Sequence, residues 1–468
     1  MNTQAEQTDI AVAFEACLRR VVATPWRDLP ASTRRRGALI LCDNVAAAFS
    51  ALDEPEVARA RRAALAGGGG GPAMLLAPGG PALSVTDAAV QNGLAMGWNE
   101  LDEGYRKAIC HGGLYVLPAL MAVAQQEGAS ARDLLRALVL AYELVTRVAR
   151  AWRFETLRFH PHALLAPVGA AAGVAVLKGM APGLTLRAVA AACAMGAAGP
   201  FSMASKGVLV RNAWAAQGAA TGLLAVTLAQ AGIGAVADTP HDVYAVTLGA
   251  RADAAAFADD GAWAVEHGYQ KLYACCQYAH SAIEAVQELL AQSPALLGGA
   301  DVTDVQVQAH PLALALDSRD PGTTLQAKFS LPHAVAAAIA IGHGGAGAFD
   351  SASLSDPRIA RLRAATRIVP MDGIRPWPHD RPATVILTLR DGRRLRQTCW
   401  SARGGPDRPL AEQDIWTKIT ALCQARMPQA APLLRALADQ AAGLACTERQ
   451  APALDDDWRV WMRGLTSA

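Results

Sequence analysis

The spacing of apolar residues changes near residue 262, and that change limits the fold more than any other feature of the chain. Before it, apolar side chains recur three and four residues apart, as one face of a helix requires, over segments 31–52, 116–127, 131–152 and 213–231. Breakers separate them. The run Gly67 to Gly71 followed by Pro72 reads as a loop, Gly128 and Gly232 end helices, and Pro182 lies in the turn before a helix at 184–195. After residue 262, VTDVQVQAH (302–310) and ATVILTLRDGRRLRQTCW (383–400) alternate with the two-residue period of strands. Asp391-Gly392 sits at a hairpin turn in the second, and a helix at 333–341 lies between the two. From residue 410 helical spacing returns, with Trp416, Ile419, Leu422 and Cys423 on one face.

The expected fold is therefore mainly α: a large all-helical domain built from both termini, residues 1–262 and 402–468, with a smaller α+β, lid-like domain, residues 263–401, inserted into it. A length of 468 residues suits two domains. Segments 302–310 and 383–389 are expected to be sheet neighbours. With 52% apolar, 18% charged and 5% aromatic residues, the composition fits closely packed alanine and leucine helices and excludes a disordered or fibrous chain.

The 43 basic and 41 acidic side chains nearly cancel, and short runs such as Arg34 to Arg36 fall short of a nucleic-acid surface, so no nucleic-acid partner is expected. The longest apolar run, 163–177, is too short for a bilayer and is interrupted by Pro167, so no membrane association is expected. The N-terminus carries early acids and lacks the basic start and unbroken apolar core of a secretory signal. Nine cysteines, an odd number without CxxC repeats, suit reduced thiols, and a cytoplasmic location is expected. The glycine run at 67–71 lacks the GK[ST] ending of a phosphate-binding loop.

Polar residues gather in islands. QKLYACCQYAHSAIEA (270–285) sets Lys271, Tyr273, Tyr278 and His280 around two cysteines: a fixed cation, phenolic donors and a group that titrates near neutrality, a set suited to an anionic substrate undergoing proton transfer. NGLAMGWNELDEGYRKAICHGG (92–113) carries Glu100, Asp102 and Glu103 ahead of His111, with Gly112 and Gly113 before the next helix; the acids can orient a histidine or a cation, or decorate a loop. LRFHPHALL (157–165) holds His160 and His162 around a proline. No neighbouring Cys, Asp or Glu completes a zinc pattern, so an acid–base or carboxylate-binding role is the better reading for that pair. SMASKGVLVRNAWAAQGAATG (202–222) places Lys206 and Arg211 before a helix of small residues, and AKFSLPHAVAAAIAIG (327–342) places His333 at the start of an apolar helix.

In order and spacing these islands resemble the MmgE/PrpD family, which includes 2-methylcitrate dehydratases, cis-aconitate decarboxylases and iminodisuccinate epimerases. The Asn92-Gly93 stretch is similar to the family's NG...DFDDT segment, His111 to its HPSG-type histidine, and Phe159-His160-Pro161 to its next histidine motif. KLYACCQYAHSAIEA is similar to its Lys...His...Asp signature, KFSLPHAVAAAIAIG to its FSLPY segment, and WAAQGAATGLLAVTLAQAGI to its small-residue helix. The resemblance implies a homodimer with an active site between the domains and no metal or organic cofactor. It carries His111, His160 and Lys271 onto catalytic or substrate-binding positions. Elsewhere the chain departs: Glu100 replaces the first Asp of DFDDT and Gly104 its Thr, Arg211 stands where relatives keep a lysine with Lys206 competing for the place, His333 replaces the tyrosine of FSLPY, and His162 replaces a common Thr.

The implied chemistry is a carbanion formed beside a carboxylate, which needs a placed base and cations aimed at the developing charge. Lys271 and Arg211 are expected to hold substrate carboxylates and His160 and His111 to move protons, with Glu100 orienting one of them and Tyr273 or His333 assisting. The expected activity is a dehydratase-type lyase on a small di- or tricarboxylate, 2-methylcitrate dehydratase-like. Dicarboxylate epimerisation, cis-aconitate-type decarboxylation and a non-catalytic carboxylate-binding dimer are the alternatives.

Overall fold

The structure, a computed structural model, describes residues 4–467 apart from 378, 380, 447, 449 and 450, so the outermost ends of the expected helical domain lie outside the described residues. The three-and-four spacing folds into helices Ala31–Ser50, Ala131–Ala151, Pro182–Ala194 and Trp214–Gln230, within two residues of each expected limit. Their ends are chemically marked. Ser84 and Ser130 accept the Asp87 and Asp133 backbone N–H at the starts of Val85–Trp98 and Ala131–Ala151. Gly128 closes Gly112–Glu127 at φ 65°, a left-handed turn that glycine adopts without strain.

The helix expected at 116–127 begins four residues earlier, at Gly112. Gly112 and Gly113 are part of its first turn because neighbours crowd them: a Cβ at Gly112 would lie 2.5 Å from the Tyr142 ring, and one at Gly113 would lie 2.6 Å from Glu103 Oε1. The glycines there serve close approach, a use that sequence alone does not distinguish from helix breaking.

Helix Pro161–Leu177 runs through the centre of the helical part, packed against Gly112–Glu127, Ala131–Ala151 and Trp214–Gln230. Pro167 in its interior removes one N–H from the helix ladder, and the carbonyl so released, on Ala163, accepts Ala197 N–H at 3.0 Å. The crossing with Trp214–Gln230 is close: a Cβ at Gly218 would lie 2.4 Å from Ala166 Cβ, and one at Gly222 2.5 Å from Ala170 Cβ. Helices Glu412–Gln424 and Ala430–Ala441 return from the far end of the chain to pack on Ala31–Ser50, and Trp458 and Trp461 are fully buried in the same core. One core is thus shared by both termini.

A second core forms around a four-stranded sheet with spatial order Arg394–Cys399, Ala383–Leu389, Val302–Ala309, Thr366–Pro370. Among the first three strands each neighbouring pair is antiparallel, with Val307 opposite Val385, and Gly392 turns the hairpin at φ 86°. The edge strand Thr366–Pro370, parallel to Val302–Ala309, had no clear alternation to announce it. Helices His280–Gln292 and Leu331–Ile341 cover the sheet. The chain is therefore mainly α with a smaller α+β part, as expected. Among the described residues the helical part also carries three ladders of two residues per strand, one of them joining Gly104–Tyr105 to Gly268–Tyr269. Strands so short leave no period to read. No described helix is long and apolar enough to cross a membrane.

Gly218→Leu is expected to lower stability by roughly 1–3 kcal/mol through overpacking. Gly183→Ala, whose added Cβ meets open space, should leave it unchanged or raise it slightly. Urea denaturation midpoints of the two variants check this.

Candidate active site

The site begins where helix Val85–Trp98 ends. Glu100 follows with φ 55°, the one non-glycine residue among those described with a left-handed backbone, a conformation costing of order 1–3 kcal/mol. The chain so turned buries Glu100, Asp102 and Glu103 together. Burial of three carboxylates within four positions demands partners, and each has different ones.

Glu100 bonds Arg211 Nη1 through Oε1 and accepts Lys271 Nζ at 3.1 Å through Oε2. Lys271 Nζ also stands 3.7 Å from Asp102 Oδ1, and Asp102 Oδ2 lies 2.6 Å from His111 Nδ1. Arg211, Glu100, Lys271 and Asp102 therefore form one buried chain of alternating charge that ends on the His111 ring. Burial alone would raise the Glu100 carboxyl, but Arg211 and Lys271 hold it far below the usual carboxylate range. Asp102 is lowered likewise, burial being outweighed by Lys271 and His111. For Lys271, burial opposes the charge and Asp102 and Glu100 overcome it, raising the ammonium well above its ordinary value.

Glu103 is different. Burial and the Asp102 charge push its carboxyl up to about 8, so it is neutral at pH 7. Its Oε1 accepts Gly113 N–H at 2.6 Å, and Oε2 lies 3.1 Å from the Tyr142 hydroxyl, where the neutral acid can donate. This carboxyl anchors the first turn of the helix that His111 caps. With Nδ1 committed to Asp102, His111 presents Nε2 to the cavity it lines.

His160 caps helix Pro161–Leu177, with Pro161 at the first helical position, where its missing N–H is harmless. Its Nε2 lies 3.1 Å from Arg211 Nε–H and its Nδ1 lies 3.3 Å from His162 N–H. Burial and the Arg211 charge hold the His160 imidazole well below its usual value, hence neutral. A neutral imidazole has one acceptor nitrogen, so the two donors compete for it. Phe201 stacks on the ring at 5.3 Å between centroids, and the Arg211 guanidinium lies 4.8 Å over the Phe329 ring.

Glu100, His111, His160, Arg211 and Lys271 all line one cavity. Five expected residues, separated by up to 171 positions, are thus brought together. Arg381, Gln277, Tyr269 and Tyr278 complete the polar wall. Of the two competing cations, Arg211 is in the cluster and Lys206 is exposed. His162 sits behind the wall, its Nδ1 2.8 Å from the Tyr115 hydroxyl and its ring edge-on to His111 and His160. Tyr273 and His333 lie elsewhere. The Tyr273 hydroxyl joins Glu284, Gln287 and Arg403, while His333 bonds the Ala348 carbonyl and Arg363 inside the second core. Glu100 touches the cations, and the acid on His111 is Asp102.

Asp102 was visible in sequence as one of three acids, with nothing in the spacing to select it. Tyr269 and Arg381 carried no signal of their own. One clue to Tyr269 was the glycine at 104: a Cβ there would lie 2.5 Å from the Tyr269 ring, so the ring occupies the space that the family's threonine would need.

Two comparisons bear on this arrangement. Residues 18–252 match the MmgE/PrpD N-terminal domain and residues 273–441 match the MmgE/PrpD C-terminal domain. Both matches are to a lyase-type enzyme family. The chain belongs to the MmgE/PrpD family. It is similar to the cis-aconitate decarboxylase of Aspergillus terreus, 26% identical over 310 residues, which span 62% of this chain and 63% of that protein. The second family match runs past the sheet into the two helices that pack on Ala31–Ser50.

Because folding raises the Glu103 carboxyl from its ordinary 4.5, the stability it contributes is complete below about pH 4.5 and is lost as pH rises through about 8. Glu103→Gln removes that loss. The stability of the variant relative to the parent should climb across this window, as urea melts at several pH values would record.

Proposed function

We propose that this chain is a dehydratase-type lyase that abstracts a proton beside a carboxylate of a small di- or tricarboxylate, with base, acid and counter-charge all supplied by side chains. The observation that carries the proposal is the Asp102–His111 pair, 2.6 Å apart, opening onto the same cavity as Lys271, Arg211 and Arg381. Asp102 fixes the proton on Nδ1, so Nε2 is the lone pair free to take a substrate proton. Lys271 and Arg211 face the carboxylate on which charge accumulates, and Arg211 grips it through two N–H groups where a lysine offers a point charge.

Arg211 cannot bind substrate and still donate fully to His160. A carboxylate that engages the guanidinium releases His160 Nε2, which then serves as a second proton carrier or hydrogen-bond partner. Burial pushes the Tyr269 phenol up to about 12, so it keeps its proton and is suited to give it to the departing hydroxyl. Proton removal at one carbon and protonated hydroxide loss at the next yield an unsaturated acid and water.

Decarboxylation is the second reading, favoured by the name of the Aspergillus terreus relative. Loss of carbon dioxide leaves a carbanion on the carbon that carried it, and His111 in its imidazolium form, protonated on both nitrogens, then gives the Nε2 proton to that carbon. Epimerisation would return the proton from the opposite face. A homodimer accompanies each reading, supported by the exposed side chains Val208, Val210, Leu224, Ile233 and Val236 around helix Trp214–Gln230. Sedimentation should give twice the protomer mass of 48.8 kDa.

Incubation with di- and tricarboxylates in deuterated water, followed by mass spectrometry, separates the readings: loss of water, loss of carbon dioxide, or isotope exchange with inverted configuration. Ligand-induced thermal shifts without any exchange would identify a binding protein instead. His111→Ala, His160→Ala and Asp102→Asn should each slow turnover by roughly a hundredfold to ten-thousandfold. Losses below tenfold in both histidine variants would sink the assignment.

A further inference from the structure

We infer that the reaction cavity has an apolar annex that receives a hydrocarbon chain carried by the substrate; this rests on the polycarboxylate reading above. A second cavity of ≈ 180 Å³ adjoins the reaction cavity, whose own volume is ≈ 40 Å³. Ile109 and Pro161 line both and so form the partition between them. Both are next to the chemistry: Pro161 follows His160 directly, and Ile109 is two residues before His111.

The annex differs from the reaction cavity in kind. Its walls are Trp152, Phe154, Phe159, Leu164, Leu165 and Tyr244, and none of the described residues lining it is acidic. Phe154 and Phe159 meet edge to face at 5.2 Å, which fixes the outer wall. Lys107 and Arg153 lie at the rim, Lys107 already 3.8 Å from Asp260. Inward of Lys107, Arg153 and Thr156 the lining is aromatic and aliphatic, a surface suited to methylene groups. With the carboxylates held by Lys271 and Arg211, a substituent on or next to the reacting carbon faces the Ile109–Pro161 partition. Ile109 is half-buried in a turn, and a rotamer change there joins the two spaces.

The test is a series of citrates bearing hydrogen, methyl, butyl or hexyl on the same carbon, read by kcat/KM and, separately, by calorimetric Kd. Both should improve roughly threefold to fourfold per methylene. Ala149→Phe, inside the annex, and Thr156→Trp, on its exposed rim, should abolish that dependence while keeping turnover of the unsubstituted compound within twofold. The rim variant guards against misfolding of the interior one. Chain-length-independent kcat/KM with normal turnover of the unsubstituted compound would overturn the annex and leave the lyase reading standing. Equal slowing of every substrate by both variants would also overturn it, marking the space as a passage. Absence of turnover on any compound counts against the lyase reading, and the Kd series then decides the annex alone: flat affinities overturn it, rising affinities support it.

Discussion

The loop at 98–103 is held in place by cations drawn from four distant parts of the chain, and the site depends on that convergence. Arg211 and Lys271 clamp Glu100; Lys328 Nζ donates to Asn99 Oδ1 at 2.8 Å and to the Trp98 carbonyl at 3.2 Å; Lys418 Nζ donates to the Leu101 carbonyl at 2.7 Å and pairs with Asp43 at 2.6 Å. A buried charge stripped of its partner costs about 3–5 kcal/mol, so each of these contacts commits a separate segment to one arrangement. Lys328 comes from the second core and Lys418 from the C-terminal helices, which makes the loop the point where all parts of the fold are tied. Burial presses the Lys328 ammonium down to about 8, a sign of how little water reaches this knot.

Three carboxylates in four positions reach three different states. Glu100 is ionised between two cations, Asp102 is ionised against a lysine and an imidazole, and Glu103 is neutral against a backbone N–H and a phenol. Environment, and not residue type, separates them, which is how one short segment can supply a clamp, a base-orienting anion and a helix anchor.

Much of this was legible in the sequence, for reasons that differ by residue. Helices such as Ala131–Ala151 and the strand pair Val302–Ala309 with Ala383–Leu389 follow from periodicity because burial on one face repeats the same spacing many times. His111, His160, Arg211, Lys271 and Glu100 stood out because charged residues are rare in apolar surroundings and have few reasons to be there. What could not be read was pairing. Whether Glu100 or Asp102 meets His111 depends on a left-handed turn at Glu100 that no propensity favours, and the distant placement of Tyr273 and His333 depends on Glu284 and Arg363 claiming them first. Long-range partnership is a property of the closed fold, and local sequence contains only its candidates.

The glycine seam between Pro161–Leu177 and Trp214–Gln230 has a further effect. Gly218 sits against Ala166 and Gly222 against Ala170, so the helices run in the same direction in a constant register. Carrying that register back to both N-termini brings Arg211 level with His160. The seam thus acts as a gauge: backbones in such close contact cannot slide, and the spacing between a guanidinium and an imidazole at one end is set by glycine hydrogen atoms about two to three turns away.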